Sequence, residues 1–210
     1  MKADNKSFWQ RFAKLYSPFM ERGNKQLYED ICIHIKPTLN KQVDVLELAC
    51  GSGQFSFRLA SHAKTWEATD FSPNMIAEAQ KHIGPAELTF SVQDATDLPY
   101  TDCRYDVVLI ANALHIMPYP DRTLKEIMRV LKPGGILLAP TFVHGKGAGF
   151  RLRAKLLEAI GFHIYSKWSS EEFAAYITEH GFTVTDVKQF GGSIAPLCYL
   201  AAQKSSNNDI

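Results

Sequence analysis

Residues 45–60 read VLELACGSGQFSFRLA, and this stretch decides the fold. Val45 to Leu48 is a run of branched apolar residues carrying one carboxylate, Glu47. Small residues then recur at alternate positions, Ala49, Gly51 and Gly53, and a helical pattern follows. A buried strand that ends in bare backbone and runs into a helix is the start of a βαβ unit. Gly51 and Gly53 let backbone approach a ligand where a Cβ would clash, and the following helix presents free N–H groups at its start.

Outward from this stretch the pattern alternates. Strands are expected at Val43–Leu48, Thr65–Asp70, Glu87–Gln93, Tyr105–Ile110 and Ile136–Phe142. Helices are expected at Gln54–His62, at Pro73–His82 with Pro in its first turn, and at Asp121–Leu131 closed by Pro133-Gly134-Gly135. Strict alternation of strand and helix predicts a parallel sheet covered on both faces. The end of the chain breaks the rhythm. Ser169–His180 reads as a helix with Ser169 and Glu172 in a capping box and Gly181 as its stop. FTVTDVKQF (182–190) and APLCYLAAQ (195–203) follow with only GGSI between them, so they pair as an antiparallel hairpin. The expected fold is α/β, a Rossmann-like doubly wound sheet of seven strands, mostly parallel, with an antiparallel C-terminal strand.

Ahead of the sheet, Phe8, Phe12, Leu15 and Phe19 recur at helical spacing, with Pro18 breaking the helix, and a second helix covers Lys25–Ile35, before Pro37. Residues 1–36 are read as a helical cover and 143–168 as an acceptor-site insertion within a single domain spanning 1–210. The aromatic stripe with Trp9, Phe12, Tyr16 and Phe19 reads either as core packing or as a lid over a sheet-end site. RLRAKLLEAIGF (151–162) is amphipathic and basic, as a solvated helix face is.

The 210 residues carry 23 Lys and Arg against 22 Asp and Glu. No excess charge draws the chain to nucleic acid or to an anionic membrane. The cysteines Cys32, Cys50, Cys103 and Cys198 are scattered without a C-x-x-C pair, so neither a zinc site nor a disulfide framework is expected. With an N-terminal stretch lacking an apolar core and no long apolar run, a cytoplasmic location without membrane insertion is expected.

Ligands of open parallel sheets bind beyond the carboxyl ends of the strands. Two nucleotide-type ligands suit the loop after Glu47: a dinucleotide or S-adenosylmethionine (SAM). Dinucleotide fingerprints have G-x-G-x-x-G, and here Ser56 stands at the third glycine. A pyrophosphate is ill served by Glu47, whereas an ammonium group is drawn to it. Asp70, at the end of TWEATD, suits a ribose diol; Asp94, in SVQDATDLPY, suits an adenine amino group, with Phe71, Met75 and Ala95 against the ring.

With ELACGSG, TDFSPNM, QDATDLPY, YDVVLIANALHIM and LKEIMRVLKPGGILLAPTF in this order, the chain resembles the class I SAM-dependent methyltransferases from about Val43 to Phe142. It is most similar to the small-molecule enzymes related to ubiquinone and menaquinone biosynthesis. The resemblance implies methyl transfer to a small organic acceptor with release of S-adenosylhomocysteine (SAH). It places the methionine moiety on Glu47–Gly53, the ribose on Asp70, the adenine on Asp94 and Ala95, and Asn112–His115 beside the sulfonium. Tyr16 joins the cofactor site as part of the aromatic cover, and His115 and His144 are the candidate bases. One departure is Ala49, where the family often has Gly; alanine fits if its φ is negative. A non-catalytic SAM-binding protein is the alternative, and a nicotinamide-dependent reductase a weaker one because of Ser56.

Overall fold

The computed structural model describes residues 24–143, 163–191 and 196–205. Helix α1 spans 24–35 and closes in a 3-10 turn, Lys36–Thr38, at Pro37. Then follow β1 (Asp44–Leu48), α2 (Ser56–Leu59), β2 (Thr65–Asp70), α3 (Pro73–Ala79), β3 (Leu88–Val92), β4 (Tyr105–Ile110), α4 (Pro120–Val130), β5 (Leu131–Leu138), β6 (Thr141–Phe142), α5 (Ser170–Glu179), β7 (Phe182–Phe190) and β8 (Leu197–Lys204).

The strand order is β3-β2-β1-β4-β5-β8, with β6 also on β8 and β7 on its far side. Strands β1 to β5 pair in parallel. β8 runs against β5, β6 and β7 alike, so it is the antiparallel C-terminal strand that the hairpin reading requires. The expected seven strands are counted as eight because the fifth is interrupted at Ala139-Pro140. Pro140 has no N–H for the ladder, and its carbonyl accepts from Asn112 N–H at 2.7 Å. The Pro133-Gly134-Gly135 turn also differs from expectation. It does not separate helix from strand but bulges inside β5, where the register jumps from Tyr105–Leu131 to Val107–Ile136. A Cβ at Gly135 would lie 2.9 Å from the Lys132 carbonyl, so this bulge needs glycine.

The central strands are apolar on both faces because both are covered. Along β1, Leu46 and Leu48 face the layer of α4 and α5, with Leu124, Ile127, Phe173 and Ile177. Val45 faces the opposite layer, with Ile31 and Ile35 of α1, Leu59 of α2, and Trp66. Glu47 follows the same alternation and is therefore aimed into the α1–α2 layer. The chain builds outward from β1 to β3, then returns to place β4 on the other side of β1. The reversal leaves a crevice at the carboxyl ends of β1 and β4.

Candidate functional site

A cavity of about 860 Å³ opens at that crevice. Ala49, Cys50 and Gly51 after β1, Asp70 at the end of β2 with Phe71 after it, Gln93 to Asp97 after β3, and Ala111 to Ala113 after β4 supply four successive segments of its wall. Tyr28 of α1 and Phe55 also line it, their rings packed edge to face at 5.3 Å. Ile116 to Tyr119 and Arg122 line it as well. The volume falls in the range of small-molecule sites, about 300–1,000 Å³.

Glu47 is 1% exposed and touches the cavity. Its Oε2 accepts from Ser56 Oγ at 2.5 Å and from Trp66 Nε1 at 2.7 Å. Burial pushes its carboxyl up to about 7, against the pull of those two donors, and the nearby Asp70 charge adds to the rise. Ser56, the residue in place of a third fingerprint glycine, thus anchors the strand-end carboxylate.

Asp70 ties the loop after β1 to the end of β2. Its Oδ2 accepts from Gly51 N–H at 2.9 Å and its Oδ1 from Ser72 N–H at 2.8 Å. Burial raises its carboxyl to about 6, with both N–H groups opposing. A carboxylate oxygen has two lone pairs, so each oxygen keeps one for a ligand hydroxyl. Ser72 also caps α3, accepting from Met75 N–H, which puts Met75 on the cavity wall. Asp94 is exposed, its Oδ1 taking the N–H and hydroxyl of Thr96 at 2.8 and 2.7 Å.

The glycines divide. Gly51 (φ +56°) lines the cavity, and a Cβ there would lie 3.6 Å from Gln54 Oε1, an ordinary contact. Gly53 (φ +90°) does not line it: a Cβ there would lie 2.6 Å from the Phe57 ring, so this glycine serves helix–strand packing rather than ligand approach. Ala49 is a correction. Its φ is +54°, not negative, because the chain must turn sharply between β1 and the loop before Cys50 N–H reaches the Thr69 carbonyl. Asn112 shares the left-handed conformation (φ +54°), which asparagine tolerates better. Its Oδ1 is buried without a hydrogen-bond partner among the described residues, at the cavity wall.

His115 is not among the lining residues. It is buried, its Nδ1 is 2.8 Å from Thr141 Oγ1, and its carbonyl accepts from Tyr165 and Ser166 N–H, holding residues 165–166 to the loop after β4. The sequence puts it after β4, but a tight 3-10 turn at Leu114–Ile116 carries the ring into the layer beneath β6. Tyr16, His144, the stripe with Trp9, Phe12 and Phe19, and the basic segment 151–162 lie outside the described residues. Sequence reading missed Tyr28, Gln54 and Phe55, and the wall from Ile116 to Arg122. Tyr28 carries a signal in hindsight, for it shares a helical face with Ile31 and Ile35. The Ile116–Arg122 wall carries none, because it depends on how the loop after β4 folds back. Among the described residues no group of three or more His, Cys, Asp or Glu could hold a metal, and no helix is long and apolar enough to cross a membrane.

The cavity suits SAM in two respects: its carboxylates match a cation-bearing nucleoside, and the Asn112 amide oxygen awaits a donor. Comparison with known proteins agrees. A family model described as "Methyltransferase domain" matches residues 45–135. The demethylmenaquinone methyltransferase of Clavibacter sepedonicus is 34% identical over 122 residues, 57% of this chain and 49% of that protein. The ubiquinone/menaquinone biosynthesis C-methyltransferase UbiE of Rickettsia akari is 28% identical over 212 residues, 87% of this chain and 85% of that protein. A crystal structure of a SAM-dependent methyltransferase from Thermotoga maritima superposes with a TM-score of 0.76 at 20% identity, covering 95% of this chain and 99% of that one. The chain spans about half the length of several curated relatives that it matches. With the strand order, the cavity at the switch point and these matches together, the chain is similar to the class I SAM-dependent methyltransferases, the ubiquinone/menaquinone-biosynthesis enzymes among them, and SAM is the cofactor of that family.

Proposed function

We propose that the protein transfers a methyl group from SAM to a small organic acceptor by in-line displacement, with SAH leaving. The observation that carries this reading is the cavity at the β1–β4 reversal, where Glu47, Asp70 and Asp94 stand at the ends of three successive strands. When bound, SAM supplies an electrophilic methyl on a sulfonium, so the protein's contribution is alignment and enclosure. In this reading Asp70 accepts from the ribose hydroxyls. Its two backbone hydrogen bonds fix its rotamer beforehand, and ordering it on binding costs little. Asp94 and Ala95 flank the adenine, with Phe71 and Met75 against its faces. Glu47 sets a negative potential beneath the loop Ala49–Gly51, where an ammonium group is favoured. The buried Asn112 Oδ1 accepts a ligand N–H, which removes the cost of an unmatched polar atom. Tyr28 and Phe55 shut water from the side facing α1. His115, packed on Thr141, holds the loop after β4 in place rather than acting as base.

Calorimetry tests the reading. The protein should bind SAH and not NAD, and should turn over labelled SAM with at least one small acceptor. Asp70→Ala should fold and lose about 1.5–3 kcal/mol of SAH affinity, the scale of hydrogen bonds to a charged group. NAD binding without SAH binding would refute the assignment of the cavity, and unchanged SAH affinity in folded Asp70→Ala would refute the role of Asp70.

A further inference from the structure

The charges on the cavity wall are segregated. Its four carboxylates, Glu47, Asp70, Asp94 and Asp97, come from the ends of β1 and β2 and from the chain after β3. The one cation among the described lining residues is Arg122, in α4, next to an apolar wall of Ile116, Met117, Pro118 and Tyr119. Resting on the methyl-transfer reading above, we propose that this wall is the acceptor subsite, and that it takes an aromatic acceptor bearing a carboxylate, which Arg122 binds.

Three features support the assignment. The Arg122 guanidinium lies 5.2 Å from the centroid of the Tyr119 ring, which keeps its planar fork beside an aromatic surface that is 45% exposed. Arginines held beside an aromatic face bind carboxylates through two parallel hydrogen bonds. Secondly, Arg122 does not serve α4. A cation in the first turn meets the positive end of the helix dipole. The carboxylates nearest in sequence are engaged elsewhere: Asp121 with the Tyr176 hydroxyl at 2.6 Å and with His180, Glu126 with Arg129 and the Leu98 N–H. Among the described residues no carboxylate forms an ion pair with Arg122. Thirdly, the other charge-bearing side chains of the described lining are carboxyls, so Arg122 gives a carboxylate-bearing acceptor one favoured orientation over the reverse one.

The competing occupant for Arg122 is the carboxylate of the methionine moiety of the cofactor itself, and the experiment separates the two. The full chain saturated with SAH is titrated by calorimetry with 1-naphthoate and indole-3-acetate, and with the neutral 1-naphthamide and indole-3-acetamide. The carboxylates should bind at least ten-fold more tightly than their amides. Arg122→Ala should erase that preference while SAH affinity stays within two-fold, and Arg122→Lys should restore part of it, since a point charge replaces the fork. Lys125→Ala, an exposed change on the same helix and off the cavity wall, should alter none of these constants. Equal binding of acid and amide, no binding by any of the four probes, or a preference that survives Arg122→Ala would overturn the proposal. A fall in SAH affinity in Arg122→Ala would overturn it too, by assigning the cation to the cofactor. Failure of the methyl-transfer reading would show separately, as absent SAH binding or absent turnover with neutral and anionic acceptors alike.

Discussion

Ala49 is held at φ +54° at the turn where β1 gives way to the cavity wall. The left-handed conformation costs a residue with a Cβ about 1–2 kcal/mol. Glycine removes that strain but adds about 0.5–1 kcal/mol of unfolded-chain entropy. Ala49→Gly should therefore raise stability by about 0.5–1 kcal/mol, read as a shift of the urea midpoint at constant slope. Loss of stability would mean that the Ala49 methyl packs more favourably than its backbone is strained. Ser56 shows a second lesson at this scale. In the sequence it counts only as a missing glycine, an argument against a dinucleotide. In the structure it donates to Glu47 at 2.5 Å, so the same substitution that excludes one ligand holds the carboxylate suited to another.

At the scale of elements, local signals were legible where they are satisfied locally. Ser169 caps α5 as its spacing to Glu172 predicts: Glu172 N–H donates to Ser169 Oγ, and Ser169 N–H donates to Glu172 Oε2 at 2.8 Å. The cap matters because α5 buries Phe173 and Ile177 completely against the α4 side of the sheet. Ser169→Ala should cost about 1 kcal/mol, measured by chemical denaturation, with SAH affinity unchanged; a neutral effect would mean that tertiary packing alone fixes the start of α5. The Pro133-Gly134-Gly135 turn was misplaced for the opposite reason. Proline and glycines in sequence mark a break, but whether the break ends a helix or bulges a strand depends on pairing with β4, which lies far off in the chain. The Pro140 interruption of the fifth strand depends in the same way on Asn112.

For the whole molecule, two buried carboxyls couple stability to pH. Glu47 is raised to about 7 and Asp70 to about 6, both chiefly by burial. The folded protein therefore holds protons that the unfolded chain has already released. Their contribution is fully present below about pH 4 and is lost as pH rises through 6 and 7. The slope is at most about 1.4 kcal/mol per pH unit for each proton. In the ligand-free protein, the stability difference between wild type and Glu47→Gln should change between pH 5 and 8, with the wild type losing ground at the alkaline end. Saturating SAH should shrink this loss, because a ligand that bonds to the ionised forms offsets the cost of ionising them. A difference independent of pH would place Glu47 at an ordinary carboxylate value.

The strand–helix alternation, the antiparallel return of the last strand, and the acidic residues at successive strand ends were legible in the sequence, because each rests on periodicity, spacing or loop length along the chain. The tertiary structure alone decided which of them meet. Alternation places Glu47 on one face of β1, but only the crossover through α2 and the pairing with β2 bring Ser56 and Trp66 to it. Position after β4 suggested His115 for the site, yet the 3-10 turn aims it at Thr141 and gives the wall to Ile116, Met117 and Tyr119. Side-chain direction within an irregular loop follows from packing against distant strands, and that packing has no period for a sequence to display.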